Sequence, residues 1–262
     1  MKRNQMRTVS DREVISGSSA SLSQSPSAAG QARTATVSVI IPTLNEAGNV
    51  PYVLNTIPDW VDEVILVDGR STDDTERIAR LLRPGVKVVH ELTPGKGAAL
   101  KAGISAASGD YLIALDADGS MDGGRLIAFR EALDNGAQYV KGSRFAEGGG
   151  SADITRLRRF GDKGICVLMR LLFGARFTDA TYGYFGVRAD SYEKMRIDTD
   201  GFETEILFNI RAHRAGLVIA EVPCFEGQRI HGNSNLSALR DGIRIALYVV
   251  REKLRGNRGI AA

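Results

Sequence analysis

From Val37 onward, short apolar runs alternate with longer amphipathic ones. "VSVIIP" is a continuous, mostly β-branched run closed by Pro42, and "NEAGNVPYVLNTI" after it has the capping residue and spacing of a helix start. "DEVILVDG" and "STDDTERIARLL" repeat the unit, with Ser71 or Thr72 placed to cap the second helix and Asp73, Asp74 and Glu76 in its positive first turn. "VKVVHE" and "GKGAALKAGISAA" make a third unit, and "DYLIALDAD" a fourth strand. Strands this uniformly apolar predict burial on both faces. The expected fold is therefore α/β: a Rossmann-like, mostly parallel sheet flanked by helices, in a single domain without internal repeats.

Composition adds boundaries. The chain has 262 residues, 43% hydrophobic and 25% charged, an ordinary globular balance that excludes fibrous and disulfide-built classes. Residues 1–36 are rich in Ser, Ala, Gly and Gln and lack a sustained period, so they read as a disordered tail, with the folded domain at 37–255 and a flexible tail at 256–262. Residues 1–36 hold no apolar stretch long enough for a signal peptide, and the longest apolar runs, "ICVLM" and "ALYVV", fall far short of a membrane span. Cys166 and Cys224 are far apart and in no metal-ligand spacing, which points to a reducing compartment and to packing roles. The expected location is cytoplasmic, at most peripheral on the inner membrane face. A net charge of +3, with many cations near the ends and around Arg156 to Arg159, gives no sign of nucleic acid.

The polar groups gather where the strands end: Thr43, Asn45 and Glu46 after the first, Asp68 after the second, Asp116 and Asp118 after the fourth. In open parallel sheets ligands bind at that edge. Asn45 and Thr72 also suit plain turn or cap roles. "LIALDADGSMDGG" admits several readings. An EF-hand beginning at Asp118 fails, because its twelfth position is Phe129 where a bidentate Glu is required. A haloacid dehalogenase-type phosphatase would use Asp116 as nucleophile, yet its motif follows the first strand and three βα units precede this one. A solvated acidic turn is the third reading. "TPGKGAAL" is no P-loop, since His90 stands where GxxxxGK requires Gly. Gly95 and Gly97 nonetheless offer backbone N–H groups at a helix start, with Lys96 between them as a phosphate contact or a solvated cation.

"VSVIIPTLNE", "VILVDGRSTDDT", "GKGAALKAG", "YLIALDADGS", "KGSR" and "EVPCFEGQRIHGNSNL", in that order, resemble the family 2 glycosyltransferases of the GT-A fold, and among them the polyprenyl-phosphate sugar transferases of the dolichol-phosphate mannose synthase type. The resemblance spans about Val37 to Arg251. It implies an inverting, metal-dependent hexosyltransferase that takes its sugar from a nucleotide donor of the GDP-mannose or UDP-glucose class. Asp116 and Asp118 match the DxD motif. On a strand, i and i+2 project to one side and can face one Mg²⁺ or Mn²⁺ together. The resemblance sets Asp118 on the metal and Pro42, Asn45, Glu46, Asp68, Lys96, Asp116 and Ser234 around the nucleotide. It turns Arg144 toward the phosphates, and offers Glu203 and Glu205 as bases or orienting groups. "RIHGNSN" matches the family's R-x-x-G-x-S-K through Arg229, Gly232 and Ser234, with Asn235 where Lys is usual. Ser120 stands where some relatives carry Gln. "FTDATYGYFGVR" is similar to the block around the acceptor channel.

The acceptor stays open between polyprenyl phosphate and a soluble sugar or natural-product hydroxyl; a non-catalytic nucleotide-sugar binding module also stays open. The basic, apolar segment "TRLRRFGDKGICVLMRLLFG" and the last helix, with Leu239, Ile243, Leu247, Val250 and Leu254 among Arg240, Arg244, Arg251 and Arg255, could each lie on anionic lipid or pack on the domain. Asp122 is expected to cap the segment after the acidic run. His90, His213 and His231 are expected to be structural or loop residues.

Overall fold

The computed structural model describes residues 34–232 and 238–256. The expected tails at 1–36 and 256–262 lie almost wholly outside the described residues, and Ser234 and Asn235 lie outside them too.

The four expected strands form as β1 (Val37–Thr43), β2 (Glu63–Asp68), β3 (Lys87–His90) and β4 (Tyr111–Ala114), separated by α1 (Val50–Thr56), α2 (Thr75–Leu82) and α3 (Lys96–Ala106). Beyond them lie α4 (Leu126–Asp134), β5 (Tyr139–Ser143), β6 (Gly150–Ser151), α5 (Arg156–Phe173), β7 (Phe185–Arg188), α6 (Ala189–Met195), α7 (Glu203–Arg214), β8 (Ile219–Pro223), β9 (Phe225–Glu226) and α8 (Ala238–Arg255). Seven strands make one sheet in the order β3-β2-β1-β4-β7-β5-β8, and β6 and β9 pair as a small ribbon. All neighbours in the large sheet are parallel except β7, which runs antiparallel to both β4 and β5.

Alternation along the strands splits the core into two layers. Val39, Ile41 and Leu66 face α1 and α4 through Val53, Leu54, Leu126 and Phe129. Ile40, Ile65 and Val67 face the opposite layer, where Leu100, Ile104, Ile206, Phe208 and Ile210 pack. β1, β2 and β4 are buried on both sides as their composition predicts, whereas β3, at the sheet edge, leaves Lys87 and His90 exposed. α8 is tied down by Arg211 of α7. Its guanidinium is buried and donates to Glu252 at 3.1 Å and to Asp198 at 2.9 Å.

Two local expectations change. Ser71 and Thr72 do not cap α2, which begins three residues later behind Asp74, and of the expected acids only Glu76 is in its first turn. Ser71 Oγ instead accepts from the Asn45 backbone N–H, and the Thr72 backbone N–H donates to Asn45 Oδ1, so the two loops brace each other. β4 ends at Ala114, with the Leu115 N–H making a last bond to the Ile40 carbonyl. Asp116 and Asp118 therefore stand in the turn beyond the strand, and strand alternation does not align them. Among the described residues no helix is long and apolar enough to cross a membrane.

Candidate active site

A cavity of ≈ 670 Å³ opens at the C-terminal edge of the parallel strands. Pro42, Leu44 and Glu46 reach it from the end of β1, Arg70 from the end of β2, Lys96 from the start of α3, and Asp116 and Asp118 from the end of β4. Because β7 runs the other way, the segment before it, Thr181 to Gly183, arrives at this same edge. Glu205 enters from the first turn of α7.

Lys96 organises the floor. Its ammonium bonds both Asp116 and Glu205. Burial disfavours that charge, but the two carboxylates more than compensate and hold the lysine above its ordinary pKa. Burial pushes Asp116 up to about 6; Lys96 opposes the rise, while the Glu205 and Asp118 charges add to it. Two carboxylates thus share one cation, with the Asp118 charge near enough to act on Asp116. Gly183 makes the approach possible, since a Cβ there would lie 2.7 Å from Lys96 Nζ, 2.8 Å from Glu205 Oε1 and 2.9 Å from Asp116 Oδ2.

Asp118 is held separately. Its Oδ1 accepts from the Ser120 backbone N–H at 3.0 Å and from Ser120 Oγ at 2.6 Å. The segment after β9 closes over this turn: the Gly227 N–H donates to the Ser120 carbonyl at 2.8 Å, and the Ile230 N–H to the Asp118 carbonyl at 3.3 Å. Gly119, at φ 78°, allows the contact, because a Cβ there would meet Ile230 Cδ1 at 2.6 Å. Arg229, from the same segment, pairs with Glu46 across the cavity. Asp122 caps the following single 3₁₀ turn through the Gly124 N–H at 2.8 Å, as expected.

Several expected site residues stand elsewhere. Arg144 borders the cavity, but its guanidinium is spent on protein: two bonds to Asp179 at 2.7 and 2.9 Å, contacts to Glu226 at 3.2 Å and one to Thr181 Oγ1 at 3.1 Å. It stacks 4.9 Å above Tyr182 and is 5% exposed, so it braces the wall and does not present itself to a phosphate. Glu203 faces a separate groove, with Arg244 Nη2 at 3.8 Å. Asn45 is an exposed turn residue at φ 57°. Asp68 lies behind the cavity wall, 6% exposed, accepting from the Ser71 N–H. His231 is clasped by Asn49 through two backbone bonds, His213 meets the Phe173 carbonyl, and His90 lies 3.4 Å from Glu76. Arg70, Arg158 and Glu226 also border the cavity and were not singled out in the sequence. Arg70 and Glu226 lay inside "VILVDGRSTDDT" and "EVPCFEGQRIHGNSNL", blocks that carry the resemblance without giving these two a role, while Arg158 lay in the basic, apolar segment read as facing lipid or packing on the domain.

Residues 38–196 match the model of Glycosyl transferase family 2. The chain belongs to that family. It is 31% identical to the polyprenol monophosphomannose synthase of Mycolicibacterium smegmatis, over 85% of this chain and 90% of that one. It is 33% identical to the undecaprenyl-phosphate mannosyltransferase of Micrococcus luteus, over 77% of this chain and 87% of that one. Among solved structures it is similar to glucosyl-3-phosphoglycerate synthase from Mycobacterium tuberculosis in complex with Mn²⁺, UDP and glucosyl-3-phosphoglycerate, with a TM-score of 0.65 at 26% identity, covering 84% of this chain and 80% of that one. This family 2 glycosyltransferase therefore has the GT-A fold, and the phosphatase reading of Asp116 is set aside.

The donor set fits a divalent cation held jointly with a ligand. Among the described residues no three of His, Cys, Asp and Glu already surround a common point. Mg²⁺ and its like are usually held by one or two carboxylates with the substrate's own phosphates. Asp116 and Asp118 supply hard oxygens of that kind, and the excess of negative charge around Lys96 favours one further cation.

Proposed function

We propose that this enzyme moves a hexose, with inversion, from a nucleotide sugar of the GDP-mannose or UDP-glucose class to a polyprenyl phosphate, and that it needs Mg²⁺ or Mn²⁺. The observation that carries the reading is the Lys96 bridge. A hydroxyl acceptor needs a carboxylate to take its proton. The glutamates that line the cavity are each engaged, Glu205 by Lys96, Glu46 by Arg229 and Glu226 by Arg144, and Glu203 lies outside it. A lipid phosphate arrives ionised and needs no base, which suits a site of this build. The relatives named for polyprenol and undecaprenyl phosphate support the same acceptor class.

Asp116 and Asp118 would hold the metal, which when bound stabilises the charge that grows on the leaving diphosphate. Pro42, Leu44 and Arg70 line the part of the cavity where the nucleotide would lie, at the β1 and β2 ends. Lys96 adds a positive charge at the start of α3, beside the backbone of Gly95, where phosphates are well received. Thr181, Tyr182 and Gly183 form the opposite wall, the side left for the acceptor. The donor is carried in water and the acceptor in lipid, so the enzyme would work at the membrane interface. Two free cysteines, Cys166 and Cys224, support the cytoplasmic side.

The test uses radiolabelled GDP-mannose and UDP-glucose with undecaprenyl phosphate and Mn²⁺ or Mg²⁺. Label from one donor should pass into the organic phase, and Asp118→Ala should abolish that transfer while leaving the unfolding transition in place. Label that remains aqueous on a soluble acceptor would overturn the lipid assignment, and full activity in the variant would overturn the metal assignment.

A further inference from the structure

α5 is amphipathic twice over. Asp162, Ile165 and Met169 form its buried stripe, with Asp162 Oδ1 accepting the Ala180 and Thr181 backbone N–H groups. At about 100° per residue, Leu157, Phe160, Gly164, Val167 and Leu171, spaced by steps of three and four, make a second stripe on roughly the opposite side of the helix. A helix whose only task is to pack on a domain leaves that side polar. Here Leu157 is 62% exposed, Phe160 74%, Val167 50% and Leu171 77%.

The charges beside this stripe are of one sign. Arg156, Arg159, Lys163 and Arg170 fall along one flank, and the helix's sole acid, Asp162, is buried. Among the described residues Arg156, Lys163 and Arg170 make no ion pair. A second copy of the chain would bring the same cations and no exposed acid from this helix to meet them. An anionic lipid surface supplies both an apolar layer for the stripe and negative headgroups for its flank.

We propose that α5 is a membrane-docking helix, lying in the interface of an anionic bilayer with Leu157, Phe160, Val167 and Leu171 inserted and Arg156, Arg159, Lys163 and Arg170 among the headgroups. The proposal rests on this exposed face and not on the acceptor's identity. It also sets the cavity at the bilayer surface. Arg158, in the first turn of α5, borders the catalytic cavity together with Asp153, 3.4 Å away.

The full chain is sedimented with vesicles of phosphatidylcholine alone and of phosphatidylcholine mixed with phosphatidylglycerol. Binding should be strong only with phosphatidylglycerol and should weaken as salt is raised. Leu157→Ser, Phe160→Ser and Leu171→Ser together should weaken it by about a thousandfold, because each removes a buried-side-chain contribution worth roughly tenfold. The triple variant should keep its circular dichroism, its Tm and its transfer to a short-chain, water-soluble prenyl phosphate. Equal binding by the triple variant would overturn the proposal. So would the absence of wild-type binding to either vesicle, or a wild-type dimer in sedimentation velocity that the triple variant loses without any vesicle binding. Vesicle binding with no transfer to any prenyl phosphate would leave the docking helix standing and remove the acceptor assignment alone.

Discussion

Asp116 and Glu205, from the end of β4 and the start of α7, share a single ammonium, that of Lys96. Removing it leaves two partly buried carboxylates facing each other, with Asp118 nearby. Lys96→Met should lower metal-free stability by about 3 kcal/mol, the range for losing one partner of a buried ion pair. Mn²⁺ should restore more stability to the variant than to the parent, as thermal melts with and without the metal will show.

Gly183 leaves the space in which those three side chains meet. Gly183→Ala would press a methyl group into Lys96, Glu205 and Asp116. Those atoms are the ends of side chains and can give way, so stability should fall by no more than about 1 kcal/mol. kcat should fall by about a hundredfold, the usual effect of displacing reacting groups by ångströms. Steady-state kinetics beside a denaturant titration separates the two quantities.

Arg144 is a bracing residue, and its loss should be felt in stability. Asp179 is fully buried, and Arg144→Met would leave its charge without the guanidinium, costing about 3–5 kcal/mol. Arg144→Lys should recover only part of that, since an ammonium cannot make the paired bonds. A raised KM with unchanged stability would instead mean that Arg144 grips a substrate phosphate.

The strands and the acidic strand ends were legible because each is a local property: a run of β-branched residues, then a polar break. The fate of Arg144 was not, because its partners stand 35 and 82 residues away and nothing near "KGSR" announces them. The reversal of β7 was hidden for a similar reason. Phe185–Arg188 is a short buried strand, and its composition does not encode direction. The loops that meet at Asn45 show the same limit, where Ser71, suited to capping its own helix, found a partner 26 residues away.

Asp162 gives a pH signature away from the cavity. Burial, and then the Asp179 charge, push it up to about 6, against the bonds it accepts from Thr181 and the pull of Arg144. A carboxyl raised in the fold binds its proton more tightly there than in the unfolded chain. Between the ordinary carboxylate range and about pH 6 the native state therefore holds the extra proton, and this group's contribution to stability falls as pH rises through that window. Asp162→Asn, which keeps an acceptor oxygen, should flatten that part of the stability profile, as chemical denaturation across pH 4 to 7 will show.

The reversed strand has a consequence for how such an enzyme can diversify. The ends of β1, β2 and β4 reach the cavity on chain that has just left the sheet, while the wall at Thr181 to Gly183 is chain about to enter it. The two facing walls of the cavity thus draw on separate stretches, residues 37–121 and 144–183, joined through α4 and β5, while Glu205 and Arg229 come from later chain. If the proposed division of donor and acceptor holds, a lineage, or an engineer, can exchange the second stretch to suit a new recipient of the sugar while the residues at the β1, β2 and β4 ends are inherited intact.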